Sequence, residues 1–153
     1  MQKPRIRSAK CADAEQLLAV RHDAIMGLAP EYGHQVAARW ANAAHANHDR
    51  AAAAIANNRV WVIELESNLA GWVEVRGASI ESLYVRSATS GRGFGSLLLA
   101  HAERHIEDAG ESSVYLDASP NAEAFYARRG YRRIGETKPN NSIPMMKSLA
   151  GVR

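Results

Sequence analysis

The segment that most constrains this chain is Leu83-Tyr84-Val85-Arg86-Ser87-Ala88-Thr89-Ser90-Gly91-Arg92-Gly93-Phe94-Gly95-Ser96-Leu97-Leu98. An apolar run enters a glycine-rich turn. The turn opens a stretch in which Phe94, Leu97, Leu98, Ala102 and Ile106 recur at helical spacing. Strand, tight turn and long helix must therefore follow one another. Such a unit gathers backbone N–H groups and the positive end of the helix dipole at the turn, which suits an anion. Glycines there leave the amides uncovered, and Arg92 adds a mobile cation. Two familiar phosphate loops do not fit. No Gly-Lys pair occurs in the chain, so there is no Walker A loop. A dinucleotide fingerprint needs a glycine where Leu98 stands, and no parallel first strand precedes this turn.

The rest of the chain supplies a sheet and its cover. Ile6 and Arg7 end a short first strand, and Asp13 opens a helix with Gln16 as its capping-box partner. Further helices are predicted at about 34–46 and 48–57, after a loop over 27–33. Residues 60–65 and 69–75 are rich in β-branched and aromatic side chains and read as a hairpin, followed by a strand at 79–86. The helix at 93–109 stops at Gly110, and strands are expected at 113–117, 131–136 and 143–149, with a short helix at about 120–129. That order suits a mixed sheet with helices on both faces, in one domain spanning 1–153.

Composition narrows the partners. The net charge of +3 tolerates an anionic ligand but is too slight for a nucleic-acid surface. No apolar run approaches the roughly 18 residues that span a bilayer, and Met1-Gln2-Lys3-Pro4 lacks the apolar core of a secretory signal. Cys11 is the only cysteine, which excludes an internal disulfide and points to a reducing, cytoplasmic setting.

Ser90-Gly91-Arg92-Gly93-Phe94-Gly95 resembles the acetyl-CoA pyrophosphate loop of the GNAT N-acetyltransferases, Gln/Arg-x-x-Gly-x-Gly/Ala, with Ser90 at the position where Gln or Arg is usual. A second segment, Ser119-Pro120-Asn121-Ala122-Glu123-Ala124-Phe125-Tyr126-Ala127-Arg128-Arg129-Gly130-Tyr131, is similar to the family's Asn-x-x-Ala-x-x-Phe-Tyr-x-x-x-Gly-Phe motif. There Ser119 takes the usual Asn position and Tyr131 replaces Phe. The closing stretch from Ile143 to Leu149 resembles the family's last strand. The resemblance implies an α+β fold, with a mixed, mostly antiparallel six- to seven-stranded sheet and helices on both faces. It implies direct transfer of an acetyl group from acetyl-CoA to a primary amine in a ternary complex. The alternative is a CoA-binding sensor of the same fold without catalysis, to which the substitutions at Ser90 and Ser119 give room. A homodimer is a further expectation from the family.

Roles follow residue by residue from the resemblance. Ser90, Gly91, Arg92, Gly93, Phe94, Gly95 and Ser96 would hold the pyrophosphate, chiefly through the amides of about 92–96, and Ser119 would complete the cofactor site. The backbone of Leu83 and Val85 would pair with the pantetheine arm as a peptide adds to a sheet edge. An amine acceptor must lose a proton before it attacks, and Glu81, alternating onto the face of Leu83 and Val85 among apolar neighbours, is the candidate base. Glu74 is the reserve. Tyr126 would protonate the departing thiolate.

Other clusters carry less. His101/His105 and His45/His48 lack a His-Glu-x-x-His arrangement and a thiolate partner, so no metal site is expected. Arg128-Arg129 and Arg132-Arg133 lack interleaved aromatics and read as solvated charge. Tyr32, His34, Trp40 and Trp72 fall where this family builds its acceptor pocket, though core packing explains Trp40 and Trp72 equally well.

Overall fold

The computed structural model describes residues 3–149. Among them seven strands form one sheet: β1 (Arg5–Ser8), β2 (Val60–Leu65), β3 (Asn68–Arg76), β4 (Ser79–Val85), β5 (Ser113–Ala118), β6 (Arg132–Arg133) and β7 (Ile143–Ser148), in the order β1-β2-β3-β4-β5-β7-β6. The helices are α1 (Ala14–Met26), α2 (Ala29–Tyr32), α3 (His34–Ala41), α4 (His48–Ala56), α5 (Phe94–Asp108) and α6 (Glu123–Ala127). β1–β2, β2–β3, β5–β7 and β6–β7 pair antiparallel, and β4–β5 pair parallel. This is the mixed, mostly antiparallel sheet that the resemblance implies. The chain divides into two compact units, residues 1–74 with 82–100, and residues 75–81 with 101–153.

In the first unit, β3 is buried continuously from Leu69 to Glu74 because both of its faces are covered. Successive strand residues point to opposite sides. Trp72 faces α1, and its indole N–H donates to the Leu17 carbonyl at 2.9 Å. Gly71 faces α5, where a Cβ would lie 3.1 Å from Leu98 Cδ1 and 2.7 Å from the Tyr84 carbonyl oxygen of β4. Glycine stands in this strand because backbone and helix close onto it. Leu17, Val20, Ile55, Val62, Leu69 and Trp72 form the core on the α1 side.

The start of α1 differs from the expected capping box. Asp13 gives no side-chain cap to α1; it closes a 3₁₀ turn (Cys11–Asp13) ahead of the helix. Its carboxylate accepts from the Lys10 backbone N–H at 2.7 Å and from Arg7 Nη1 at 2.8 Å. Arg7 also donates to Glu64 at 3.2 Å, tying β1, β2 and the approach to α1 together. The Arg7 hydrogen bond and the Lys10 amide hold the Asp13 carboxyl below its usual range against the opposing effect of burial.

The second unit sets the β5–β7–β6 ladder beside the C-terminal half of α5 and α6. β5 alternates buried Val114, Leu116 and Ala118 with more open Ser113, Tyr115 and Asp117, as a strand covered on one face should. The strand expected at 131–136 shrinks to Arg132–Arg133. Ile134 still donates its N–H to the Pro144 carbonyl at 2.9 Å, but Pro144 has no N–H to return, so the ladder ends there.

Two outcomes follow for the first unit. Asp13→Asn lowers stability at pH 7 by about 1–3 kcal/mol, the range for a charged hydrogen bond. Because the folded pKa of Asp13 is lowered, that contribution is complete above the unfolded value, about 4, and is lost as pH falls through the folded one. Denaturant titrations at several pH values should show the gap between the two proteins closing with acid; a constant gap would remove the ion pair as its cause. Gly71→Ala forces the contact with the Tyr84 carbonyl apart and costs about 1–3 kcal/mol, read from the same titrations.

Candidate functional site

The phosphate-loop residues lie together in the first unit. Arg86 fixes the end of β4, donating its N–H to the Ala70 carbonyl and its Nε to the Leu69 carbonyl, both at 2.8 Å. A 3₁₀ turn over Ser87–Thr89 follows. The Thr89 N–H and hydroxyl both donate to the Arg86 carbonyl at 3.0 Å, and Ser90 N–H donates to the Ser87 carbonyl at 3.1 Å. Gly91 and Gly93 then both take φ of +81°, where an L side chain is strained. A Cβ at either would meet nothing within 4 Å, so backbone conformation, not crowding, requires glycine there. The same open space lets a ligand reach the amides.

One N–H of the 92–96 stretch is engaged within the turn itself. Arg92 N–H is engaged by the Thr89 carbonyl at 3.3 Å. Leu97 N–H makes the first helical bond, to the Gly93 carbonyl at 3.1 Å. Phe94 and Gly95 thus begin the first turn of α5, where the helix supplies no acceptor. The Phe94 ring is buried and anchors that turn, and the exposed Arg92 guanidinium lies 5.2 Å from its centroid. Ser90 is exposed, and Leu83 and Val85 are half-buried on β4.

α1 grips this region twice. Arg21, buried, donates to the carbonyls of Trp40 and Ala41 at the end of α3, with its guanidinium 5.7 Å from the Tyr84 ring centroid. Asp23 accepts from both the N–H and the hydroxyl of Ser87, at 2.8 and 3.1 Å. Neither anchor was foreseen, because Asp23 and Ser87 are 64 residues apart and no local pattern links them. Of the expected acceptor-pocket aromatics, Trp72 is a core residue bonded to Leu17. Trp40 is 38% exposed and meets Tyr32 edge-on at 5.2 Å, so this pair stays open to solvent.

The second unit holds Glu81, Ser119 and Tyr126. Glu81 is exposed, so the apolar surround expected for it is absent; the β4–β5 register, Ser79↔Tyr115 and Ile80↔Leu116, ends one residue earlier. Glu74, on β3 in the first unit, is the buried carboxylate. Ser119 is exposed and precedes the 3₁₀ turn Pro120–Ala122, whose Ala122 N–H bonds its carbonyl at 2.9 Å. Tyr126 is buried between Phe125 and Tyr131, at centroid distances of 5.1 and 5.6 Å, both edge-on. Tyr131 donates its hydroxyl to Glu103 at 2.7 Å, and Lys147 donates to the other Glu103 oxygen at 3.1 Å. Burial, then the Glu103 bond, pushes the Tyr131 phenol far above its usual range. Arg129 lies 3.7 Å over the Phe125 ring and donates to its carbonyl, and Arg133 pairs with Glu123.

His101, half-buried on α5, has its pKa lowered by burial and then by Arg104 and His105. No group of three or more His, Cys, Asp or Glu side chains able to hold a metal occurs among the described residues. No described helix is long and apolar enough to cross a membrane.

Comparison with known proteins gives these positions a setting. A family model described as an acetyltransferase (GNAT) domain matches residues 28–148. A GCN5-related N-acetyltransferase from Rhodopseudomonas palustris superposes with a TM-score of 0.79 at 26% identity, over 97% of this chain and 98% of that one. PaiA N-acetyltransferase from Thermoplasma acidophilum, in complex with coenzyme A, has a TM-score of 0.79 at 18% identity, over 96% and 99%. N-acetylglutamate synthase from Neisseria gonorrhoeae, complexed with coenzyme A and N-acetylglutamate, gives 0.74 at 19% identity, over 97% of this chain but 36% of that one. The last two share the fold. No curated protein matches the chain. With the family model spanning α2 to β7 and the fold repeated in these structures, the chain belongs to the GNAT acetyltransferases.

Proposed function

We propose that this protein is an acetyl-CoA-dependent N-acetyltransferase that moves an acetyl group directly to a primary amine in a ternary complex. The observation that carries the reading is the turn between β4 and α5. Two left-handed glycines open a space in which no Cβ would touch protein, and they deliver the chain into a helix N-terminus. A pyrophosphate fits that donor set: amides of the first turn, the positive helix end and the exposed Arg92. Coenzyme A in the PaiA and N-acetylglutamate synthase structures supports the same choice of co-substrate. The backbone of Leu83 and Val85 would pair with the pantetheine arm, and Ser119 would add a contact to the cofactor. The lone, exposed thiol of Cys11 fits a reducing, cytoplasmic setting.

In the reaction the amine nitrogen forms a bond to the thioester carbonyl carbon and the C–S bond breaks. A lysine-like amine sits about three pH units below its pKa at neutrality, so a base must take its proton. Glu81 is assigned that role, acting directly or through a water, as its exposure permits. Tyr126 Oη is assigned to give a proton to the departing sulfur. Glu74 is the second carboxylate to weigh, because it is the buried one.

The test is thiol release from acetyl-CoA over a panel of primary amines, with coenzyme A binding measured in parallel. Tyr126→Phe and Glu81→Gln should each lower kcat by about 100-fold or more, the usual worth of a general acid or base. Phe keeps the ring packing of Tyr126 against Phe125 and Tyr131. Full turnover in either variant removes that residue's role, and a loss confined to Glu74→Gln moves the base to β3. Tight binding with no release on any amine overturns catalysis in favour of a sensor. Gly93→Ala should loosen coenzyme A binding; unchanged binding would place the pyrophosphate elsewhere.

A further inference from the structure

We propose that Asp23 is a positioning residue for the cofactor loop, holding Ser87 so that the first turn of α5 meets the pyrophosphate in a preset conformation. The inference rests on the acetyl-CoA reading above.

The loop has little to hold it from within. From Ser87 to Gly93 the backbone closes on itself through short-range turns, Thr89 N–H to the Arg86 carbonyl, Ser90 to Ser87 and Arg92 to Thr89. Ser90, where a longer side chain is usual in the family, is exposed. The tie from outside is Asp23, whose Oδ2 takes both Ser87 donors. A second contact acts at the same place. Gly27, which follows α1, would carry a Cβ 3.1 Å from Ser87 Cβ, so α1 ends pressed against the turn. Gly27 N–H in turn donates to the Asp23 carbonyl at 3.0 Å, which fixes the helix end that presents the carboxylate.

Charge argues in the opposite direction, and this makes the role testable. A carboxylate near a pyrophosphate site opposes an anion by Coulomb repulsion. If Asp23 acted only as a charge, removing it would tighten binding. If it positions the loop, removing it leaves Ser87 untethered, and ordering the loop is then charged against binding.

The experiment is calorimetric titration of the full chain with coenzyme A, alongside thermal unfolding and steady-state kinetics. Asp23→Ala should weaken binding about tenfold, the scale of a lost charged hydrogen bond. Asp23→Asn, which keeps an acceptor oxygen, should recover part of that loss. KM for acetyl-CoA should rise in step while kcat and KM for the amine hold. Ser87→Ala, losing only the hydroxyl arm, should cost less and add nothing to Asp23→Ala. Unchanged or tighter binding in Asp23→Ala overturns the proposal, as does a rise in both KM values together with a lowered unfolding midpoint. A wild-type chain that fails to bind coenzyme A overturns the functional reading first, and the inference with it; wild-type binding with an indifferent Asp23→Ala overturns the inference alone.

Discussion

The close approach at Gly71 is the constraint on which the first unit turns. β3 is covered on both sides, and at this one residue both the Tyr84 carbonyl of β4 and Leu98 of α5 close to within about van der Waals contact of an absent side chain. α5 can lie this near the sheet only because Gly71 has no Cβ. The position of α5 sets where its N-terminal turn emerges, and that turn carries the amides at Phe94 and Gly95. Arg86, bonded to Leu69 and Ala70 just before Gly71 on β3, fixes the other end of the turn. A glycine in the core thus determines the geometry of a loop that is itself exposed.

What could be read from the residue pattern was whatever repeats locally. β-Branched and aromatic content marked β2 and β3, the helical stripe marked α5, and the glycine-rich run marked the turn between β4 and α5. The failures share one cause, long-range partners. Asp13 has the residue type of a helix cap, yet Arg7 and the Lys10 amide claim it, and Arg7 is held in turn by Glu64, 57 residues away. β6 was shortened by a proline on β7, its partner. Glu81 was placed among apolar neighbours by alternation, but alternation says which way a side chain points and not what lies there. Gly71 left one faint local sign, a glycine inside a run of β-branched and aromatic residues, which usually marks a close backbone approach.

The loop itself divides its labour between glycine types. Gly91 and Gly93 are required by φ, with open space around them, whereas Gly71 is required by crowding. The first kind faces outward and leaves room for a ligand; the second faces inward and leaves room for the protein. The family pattern identifies Gly93 and Gly95 but cannot see Gly71, because its reason lies in another strand and helix.

Tyr126 and Tyr131 of the second unit show how neighbouring identical groups are set apart. Tyr131 occupies a position where the family more often has phenylalanine, and its added hydroxyl goes to Glu103, itself held by Lys147. A buried phenol bonded to a carboxylate resists losing its proton, since ionisation would set two negative charges side by side. Tyr131 therefore serves as a fixed wall, and its ring meets Tyr126 edge-on at 5.6 Å, with Phe125 edge-on against Tyr126 at 5.1 Å. Held between these two rings, Tyr126 has little rotational freedom left to lose when a reaction demands one orientation of its hydroxyl. The ring of Tyr126 is thus fixed by a neighbour that keeps its own proton.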